Sequence, residues 1–373
     1  MSELRLLQQT KGEGYKAGRK RGYADGKHHG YRAGLYQTIS GSLQKDKLHK
    51  FDITLLYVTS GIGVPYPAID DAVIQALDGL VHRLIVAAPS DNVSNLAKKH
   101  RPDYVLVLNG VVLPIEQVKA IRNLGIKTAV WFTDDPYYTD WTVEIAPHYD
   151  VVFTLETNCV ALYRKIGCKK VYLMPFAADP KQFSPKSVPS KYYSDICFLG
   201  TAYWNRVELF EKLLPNLQNY KVVLIGWWWD RLKNYASFKS NIRLGSWLTP
   251  EETSSYYNGA KIVLNMHRLA DDDSLNHNGR KTPAHSVNPR TFEINGCATL
   301  QMVDDRQELA KHYLPGKEVV TFQSAEQLLK RIHYYLEHEE ERREIALKGY
   351  VRTLKENTYR RRVSQLLTTL RNS

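Results

Sequence analysis

A single glutamate stands among apolar residues in the segment NPRTFEING, residues 288–296. Glu293 follows Arg290 by three positions and precedes Gly296 by three. A carboxylate in this position can accept two hydrogen bonds from adjacent hydroxyls, as acidic residues do with the ribose diol in other nucleotide sites. The alternative is a glutamate that the dipole favours at the start of a helix. Gly296 would let the same helix pack closely against a sheet or a ligand.

A glycine turn followed by an arginine occurs in the segment FLGTAYWNR, residues 198–206. Gly200 is expected to end a strand, and Arg206 to lie in the first turn of the next helix. Amides at a helix start bind phosphate, and an arginine adds a two-pronged donor. We therefore expect Gly200, Thr201 and Arg206 to form a phosphate site. The alternative is a structural glycine turn with a surface arginine.

A polar stretch of about twenty residues without predicted secondary structure separates His267 from the glutamate segment, and loops of this length are usually functional or disordered. It would carry Arg280, Lys281, His285 and Arg290 to one place, where the cations suit a pyrophosphate. A solvated loop is the alternative. His267, at the end of a predicted strand, is either a phosphate contact or a buried structural histidine.

Two adjacent aspartates, Asp134 and Asp135, end the strand-like run KTAVWFT. One of them could act as a general base for a hydroxyl or could orient a sugar. Because neighbouring residues of an extended segment point to opposite sides, we expect only one to reach a ligand. A metal site and a cap before Pro136 are the alternatives.

Two further loops follow predicted strands. In SGIGVPYP, residues 60–67, Gly61 and Gly63 form half of a dinucleotide fingerprint, but Tyr66 occupies the place of the third glycine, which argues against a nicotinamide enzyme. The loop is either a tight turn or a ligand loop. In IGWWWD, Trp227 could stack on a base or a sugar, and a domain or oligomer contact is the alternative. The absence of phosphate-loop, serine-elbow and zinc-protease motifs excludes those enzyme classes.

The elements that must position these residues begin at residue 51. Short β-branched runs alternate with helical patterns, which predicts parallel sheets covered by helices on both faces. Two such series predict an α/β fold with two doubly wound, Rossmann-like domains that face a cleft at the carboxyl ends of their strands. The predicted boundaries are 51–173 for the first domain, 174–192 for a linker with four prolines, 193–354 for the second domain and 355–373 for a C-terminal helix that crosses back.

The N-terminal arm, residues 1–50, differs from the body in charge. It holds 11 Lys and Arg against four Asp and Glu, which is +7 of the net +12. Glycine recurs at every fourth residue from 14 to 34 and tyrosine at every eighth from 15 to 31. Such spacing suits close helix packing, so we expect a homo-oligomer contact through residues 11–35. A disordered basic tail is one alternative, and a nucleic-acid-binding segment is another, disfavoured because no nucleic-acid module is present.

The remaining composition indicates where the chain works. No run approaches the ~18 apolar residues needed to cross a bilayer, and the first residues lack an apolar signal core, so we expect a cytoplasmic protein. The four cysteines show no C-x-x-C spacing, which indicates reduced, mostly buried thiols.

Taken together, the motifs resemble those of the GT-B glycosyltransferases and, more closely, those of the CgeB family of spore maturation proteins, which are glycosyltransferase-like. Four segments carry the resemblance, which extends over roughly residues 50–370: MPFAADPKQFSP, FLGTAYWNR, NPRTFEINGCATL and VWFTDDPYY. The glycine-repeat arm lies outside it.

The resemblance implies a metal-independent glycosyltransferase that moves a sugar from a nucleotide-diphosphate donor, with UDP favoured, to an unknown acceptor such as a protein, a glycan, or a spore or cell-surface component. No metal and no cofactor besides the nucleotide-sugar are implied, because cations and helix amides stabilise the leaving group in such proteins. The implied donor-binding residues are Gly200, Thr201, Arg206, Trp227, His267, Lys281, His285, Arg290, Thr291, Glu293 and Gly296. On the acceptor side lie Gly61, Gly63, Asp134 and Asp135, and the catalytic candidates are Asp134, Asp135 and Arg206.

One position departs from the family pattern. Related retaining enzymes carry two glutamates seven residues apart, and His285 stands at the earlier position here. The anomeric outcome therefore stays open. Two other functions also stay open: a non-catalytic assembly or coat protein that acts through its arm, and a GT-B epimerase.

Overall fold

A computed structural model describes residues 16, 19, 30, 33–43, 48–272 and 275–373. The chain forms two compact units, Met1–Asp46 and Lys47–Ser373. In the first unit, residues 33–43 are helical. Most of the glycine and tyrosine repeat, and most of the segment 11–35, lie outside the described residues, so oligomerisation through the arm stays a prediction.

The first domain is built on a parallel sheet of six strands in the order β2-β1-β3-β4-β5-β6. The strands are β1 (Phe51–Val58), β2 (Val81–Ala87), β3 (Tyr104–Leu108), β4 (Lys127–Trp131), β5 (Val151–Thr154) and β6 (Val171–Leu173). The helices are α1 (Tyr66–Asp78), α2 (Val93–His100), α3 (Ile115–Asn123), α4 (Thr139–Ile145) and α5 (Thr157–Lys165).

The second domain repeats this architecture in the order β12-β11-β10-β7-β8-β9, again entirely parallel. The strands are β7 (Ser194–Leu199), β8 (Val222–Gly226), β9 (Ile242–Leu244), β10 (Ala260–Asn265), β11 (Leu300–Asp304) and β12 (Val320–Phe322). The helices of this domain are α6 (Trp204–Leu213), α7 (Tyr235–Phe238), α8 (Pro250–Gly259), α9 (Arg290–Gly296), α10 (Leu309–His312), α11 (Ala325–Glu337) and α12 (Glu339–Glu356), and the chain ends with α13 (Tyr359–Arg371).

The central strands are short apolar runs because helices cover both faces of each sheet. All five residues of β3 are buried, as are all four of β5. Separate core clusters lie on the two faces of the first sheet, and others fill the second domain. All four cysteines are buried and unpaired. The predicted fold of two doubly wound α/β domains is confirmed.

The last helix, α13, packs on the first domain although it follows the second domain in the chain. Its apolar residues Val363, Leu366, Leu367 and Leu370 are fully buried in the same cluster as β1 and α1. Burying each such side chain contributes about 1.5–3 kcal/mol. The amide of Tyr359 donates to the carbonyl of Ala178 at 3.0 Å, which ties the crossing to the segment that connects the domains.

In each sheet, the domain's first strand lies beside one strand that does not follow it directly in the chain. In the first sheet β1 lies between β2 and β3, and in the second β7 lies between β8 and β10. The loops diverge above such a point and leave a crevice at the carboxyl ends of the strands. The candidate residues that follow β1, β4, β7 and β10 are therefore brought to these two edges.

Candidate functional site

The loop after β7 lies directly against the end of β8. Gly226 has a φ of +149°, and a Cβ atom on it would lie 2.2 Å from the carbonyl oxygen of Gly200. Trp229 holds the same oxygen through a hydrogen bond of 3.0 Å from its indole nitrogen. The next amide, that of Thr201, donates to no protein acceptor in the part of the chain that the structure describes. This amide is available to an anion at the second switch point.

Arg206 holds this loop by hydrogen bonds to backbone carbonyl oxygens, which corrects its predicted role as a phosphate ligand. It is 3% exposed, and it donates to the carbonyl oxygens of Met266 (3.0 and 2.6 Å) and Thr201 (2.8 Å). Burial, followed by the charge of Arg290, lowers the pKa of Arg206 to about 9. Three nitrogen atoms of Arg206 donate hydrogen bonds to the backbone. Arg206 therefore connects the loops after β7 and β10 and is not an exposed phosphate ligand.

Arg290 is the cation that remains available beside Gly200. A terminal nitrogen of Arg290 and one of Arg206 lie 3.2 and 3.1 Å from the position that a Cβ atom on Gly200 would occupy. Arg290 is partly exposed, and among the described residues it has no hydrogen bond or ion pair. Two guanidinium groups this close, without a carboxylate bonded to either, repel each other, so the place favours an anion.

Glu293 lies one turn further along α9. Its carboxylate is partly exposed and makes no hydrogen bond within the described residues. Burial raises the pKa of Glu293 from 4.5 to about 7, and the charge of Arg290 opposes this shift. A buried carboxylate without hydrogen-bond partners can accept hydrogen bonds from two hydroxyls of a bound ligand.

Three other residues predicted to bind the donor are structural. His267 is 2% exposed; its Nδ1 lies 2.6 Å from Asp304, and its Nε2 accepts from the amide of Asn288 at 2.8 Å. Thr291 is fully buried and hydrogen-bonds with Asn265 and Asn288. A Cβ atom on Gly296 would lie 2.8 Å from the carbonyl oxygen of Phe183, in the segment that connects the domains. The donor-binding roles predicted for His267 and Thr291 are corrected, because their side chains are bonded inside the protein, whereas the close packing expected at Gly296 is present.

The two aspartates after β4 point in different directions. Asp135 is fully buried and accepts hydrogen bonds from Thr154 (2.6 Å) and Tyr163 (2.7 and 2.8 Å), and burial raises its pKa to about 6. The prediction that Asp135 serves the reaction is corrected, because it lies in the core of the first domain. Asp134 is partly exposed and accepts from Tyr66 at 2.8 Å and from Thr133 at 2.6 Å.

The loop after β1 reaches Asp134 through Tyr66. Burial, and then the charge of Asp134, raise the pKa of Tyr66, which therefore remains a protonated donor. Gly61 and Gly63, earlier in this loop, are exposed. Asn109, which follows β3, adds a longer contact of 3.4 Å to Asp134. The acceptor-side candidates around Asp134 thus come from three neighbouring strands, and Tyr66 and Asn109 are additions to the residues predicted from the sequence.

Arg268 is a third candidate, besides Tyr66 and Asn109, that the sequence analysis did not name. It follows β10, lies 3.8 Å from the ring centroid of Tyr137 in the first domain, and interacts electrostatically with Asp134. It therefore places a positive charge between the two domains. Its position directly after His267 at a strand end is the signal that could have identified it.

The long loop between β10 and α9 is fixed to the first domain, which argues against the alternative of a solvated loop. The backbone of His277 exchanges hydrogen bonds with Tyr137 and Asp140 at 2.8 and 2.9 Å, and its ring stacks on Trp141 at 4.3 Å. His285 lies 3.1 Å from Asn158, and its amide donates to Glu156 at 2.8 Å.

Lys281, His285 and Trp227 were also predicted to bind the donor. Lys281 is exposed. Trp227 is 42% exposed beside the β8 end, where it packs near Gly245. Of these, only Trp227 offers an open aromatic face next to the Gly200 loop.

Two features, a metal-ligand cluster and a membrane-spanning helix, are absent from the described residues. No group of three or more His, Cys, Asp or Glu side chains in that part of the chain is placed to hold a metal ion. None of the helices in the same part is both long and apolar enough to cross a membrane.

Two facing Rossmann-like domains with these crevices define the GT-B fold, and solved structures share it. Sucrose-phosphate synthase from Thermosynechococcus elongatus aligns with a TM-score of 0.58 and 11% identity, over 86% of this chain and 98% of that one. Anabaena Alr3699/HepE in complex with UDP and glucose aligns with a TM-score of 0.59 and 8% identity, over 86% of this chain and 100% of that one.

Sequence comparisons add two similar proteins or families to the likeness in fold. Residues 206–368 match the sequence model of the glycosyl transferase-like family. Spore protein CgeB from Bacillus subtilis (strain 168) is 28% identical over 311 residues, which cover 82% of this chain and 95% of CgeB. The predicted resemblance to the CgeB-like proteins is confirmed, and residues 206–368 are similar to the glycosyl transferase-like family.

Proposed function

We propose that the protein is a glycosyltransferase that takes its sugar from a nucleotide-diphosphate donor, with UDP favoured, and transfers it to an acceptor at the first domain. The glycosyl transferase-like match over the second domain supports the reaction class. The structural neighbour in complex with UDP and glucose supports the donor class.

The observation that carries the proposal is a pair of α9 side chains, Arg290 and Glu293, that make no hydrogen bond among the described residues. Arg290 offers donors beside the free amide of Thr201, and Glu293 offers acceptors one turn away. A nucleoside diphosphate has the complementary groups, because its phosphates accept hydrogen bonds and its ribose diol donates them. In this proposal Trp227 meets the base or the sugar through its exposed ring.

The transfer breaks the bond between the anomeric carbon and the diphosphate oxygen and forms a bond from that carbon to an acceptor oxygen. Arg290 and the Thr201 amide stabilise the negative charge on the departing diphosphate, without a metal. Asp134, held by Tyr66 and Thr133, orients the acceptor hydroxyl and takes up the proton that this hydroxyl loses as its oxygen bonds to the anomeric carbon. Arg268 adds a positive charge that interacts electrostatically with Asp134.

Calorimetry with UDP tests the site. We expect Glu293→Ala to weaken UDP binding by more than about tenfold, or 1.4 kcal/mol. Glu337→Ala removes an exposed glutamate of the same domain and serves as the matched control, with an unchanged affinity expected. Equal UDP affinity in the wild type and in Glu293→Ala would contradict the proposed donor site.

Turnover tests the reaction class separately. A panel of UDP-sugars is incubated with the protein, with and without candidate acceptors, and UDP release is measured. Release that depends on an acceptor supports transfer, whereas consumption of the donor without an acceptor indicates an epimerase or a hydrolase.

A non-catalytic role in assembly is the second candidate, because the curated relative is described as a spore protein. It predicts UDP binding without turnover of any sugar nucleotide. It also predicts oligomers that disappear when residues 1–40 are deleted, whereas an unchanged oligomeric state after this deletion would contradict it.

A further inference from the structure

An aromatic cluster lies where the two domains meet, next to the acceptor side. It consists of Tyr138 and Trp141 from the first domain and His277 from the second. The rings of Tyr138 and Trp141 are parallel within 2°, with 5.0 Å between their centroids, and His277 stacks on the same indole at 4.3 Å. We call these three residues the aromatic platform.

One face of the indole of Trp141 stays open. The ring centroids of Tyr138 and His277 lie 5.8 Å apart, which is much less than the sum of their distances to Trp141, so both rings cover the same face of the indole. Trp141 is 43% exposed, and His277 is exposed beside it. The platform therefore presents a flat aromatic surface to solvent.

Backbone hydrogen bonds hold both halves of the platform together. The amide of His277 donates to the carbonyl oxygen of Tyr137 at 2.8 Å, and the amide of Asp140 donates to the carbonyl oxygen of His277 at 2.9 Å. The carboxylate of Asp140 accepts from the amide of Gly279 at 3.0 and 2.9 Å. Because the stacked rings are already fixed, a ligand that packs on them orders few further side chains.

The polar atoms of the platform are not used inside the protein. Within the described residues, the indole N–H of Trp141, the hydroxyl of Tyr138 and the ring nitrogens of His277 make no hydrogen bond. Such side chains combine an apolar body with a polar tip. A sugar ring is complementary to them, because its C–H bonds form an apolar face that meets the negative face of an indole, and its hydroxyls lie around the edge.

The platform is continuous with the carboxylate on the acceptor side. Tyr138 interacts electrostatically with Tyr66, which donates to Asp134 at 2.8 Å. The guanidinium group of Arg268 lies 5.4 Å from the ring centroid of Tyr138 and interacts electrostatically with Asp134. Because Trp141 and Asp134 are linked through these shared neighbours, one extended ligand can contact both.

We propose that the aromatic platform is a sugar-binding subsite and that the acceptor is a glycan. One sugar ring packs on the open face of Trp141, Tyr138 and His277 bond its hydroxyls, and a neighbouring sugar presents the reacting hydroxyl to Asp134. A polypeptide acceptor fits less well, because proteins anchor their side chains in pockets and this surface is flat. The acceptor role rests on the proposed glycosyltransferase function, whereas sugar binding at the platform does not.

Titration of the full chain with disaccharides, without nucleotide, tests the subsite. The probes are cellobiose, maltose and diacetylchitobiose. At least one of them is expected to shift the indole ¹H–¹⁵N signal of Trp141 saturably, and Trp141→Phe assigns this signal. In ligand-detected NMR titrations, we expect Trp141→Ala to weaken binding of that disaccharide by about tenfold, whereas Trp141→Phe keeps an aromatic face and stays within about threefold of the wild type.

Tyr334→Ala is the matched control. Tyr334 is also 43% exposed and also stacks on a histidine, His338, at 3.9 Å, but it lies on α11 and is not part of the platform. Its loss is expected to leave disaccharide affinity within about twofold of the wild type, and urea unfolding verifies that both alanine variants are folded. No saturable shift of the Trp141 signal with any probe, or equal weakening by Trp141→Ala and Tyr334→Ala, would overturn the proposal.

UDP release from a UDP-sugar separates this proposal from the proposed function. The bound disaccharide is expected to stimulate release, and Trp141→Ala is expected to raise the KM for the disaccharide by about tenfold while the KM for the donor stays within about twofold. Release that a peptide of serine and threonine stimulates and no disaccharide does would overturn the glycan acceptor and leave the transferase standing. Saturable disaccharide binding at Trp141 without any UDP binding would support the sugar subsite and contradict the proposed function.

Discussion

Replacing Glu293 by glutamine should stabilise the ligand-free protein at alkaline pH. Burial raises the pKa of Glu293 from 4.5 to about 7, so the folded state binds this proton more tightly than the unfolded state does. Below 4.5 both states are protonated, and the residue has no pH-dependent effect. As the pH rises from 4.5 to 7, only the unfolded state ionises, so stability falls; above 7 the loss is complete.

The magnitude follows from the two pKa values. At 1.36 kcal/mol per pKa unit, the loss reaches at most about 3 kcal/mol at pH 8 and about 1 kcal/mol at pH 5. Solvent access to the partly exposed carboxylate reduces both values. Because Glu293→Gln keeps the shape and removes the charge, we expect it to exceed the wild type in stability at pH 8 by up to this amount, and by less at pH 5.

Urea unfolding of both proteins at pH 5 and pH 8, without nucleotide, measures this difference. Glu337→Gln alters an exposed glutamate and should show the same small change at both pH values. If Glu293→Gln is less stable than the wild type at pH 8, the carboxylate has a stabilising partner in the folded protein, and the reasoning about an unsatisfied site is refuted.

Three further changes test other parts of the structure. Arg290→Gln should weaken UDP binding by about tenfold but uridine binding little, because its proposed contact is with phosphate, and calorimetry with both ligands checks this; equal losses would contradict it. Gly226→Ala should destabilise the protein by about 1–3 kcal/mol in urea unfolding, because its Cβ atom would lie 2.2 Å from the carbonyl oxygen of Gly200. Gly63→Ala has nothing within 4 Å of the new atom and should be neutral; similar effects of both would argue against this contact. Leu367→Ala should cost about 2–5 kcal/mol, because the side chain is fully buried beneath the first domain; a loss below about 1 kcal/mol would show that α13 detaches easily.

Much of the fold could be predicted from the sequence because its signals are local. Runs such as DYVLVLNG and DICFLG are short, apolar and bounded by turn residues, and each contains a buried strand. Their alternation with helical patterns leaves few topologies besides a doubly wound sheet. Strand order is a long-range property and became visible only in the structure.

The site was harder to predict, because residue type does not reveal where the hydrogen bonds go. Arg206 has the type and spacing of a phosphate ligand, but it donates to the carbonyl oxygens of Met266 and Thr201. His267 likewise bonds to neighbours on both sides of its ring. Glu293 differs because its apolar sequence neighbours already indicated desolvation.

The interdomain contacts could not be predicted from the sequence at all. Arg268 meets Tyr137 across more than a hundred residues of chain, and His277 stacks on Trp141 over a similar separation. No periodicity or local sequence motif indicates such pairs of contacting residues. The same limit explains why the sequence did not indicate that the polar loop after β10 packs on the first domain.

Discrimination between UDP and 2′-deoxy-UDP tests the central claim most directly, because only the ribose hydroxyl differs between the ligands. The account predicts that the wild type binds UDP about tenfold more tightly than the deoxy form and that Glu293→Ala binds the two within about twofold. A wild type that does not distinguish them, or a variant that retains the full preference, would contradict the assignment of Glu293 to the nucleoside diol.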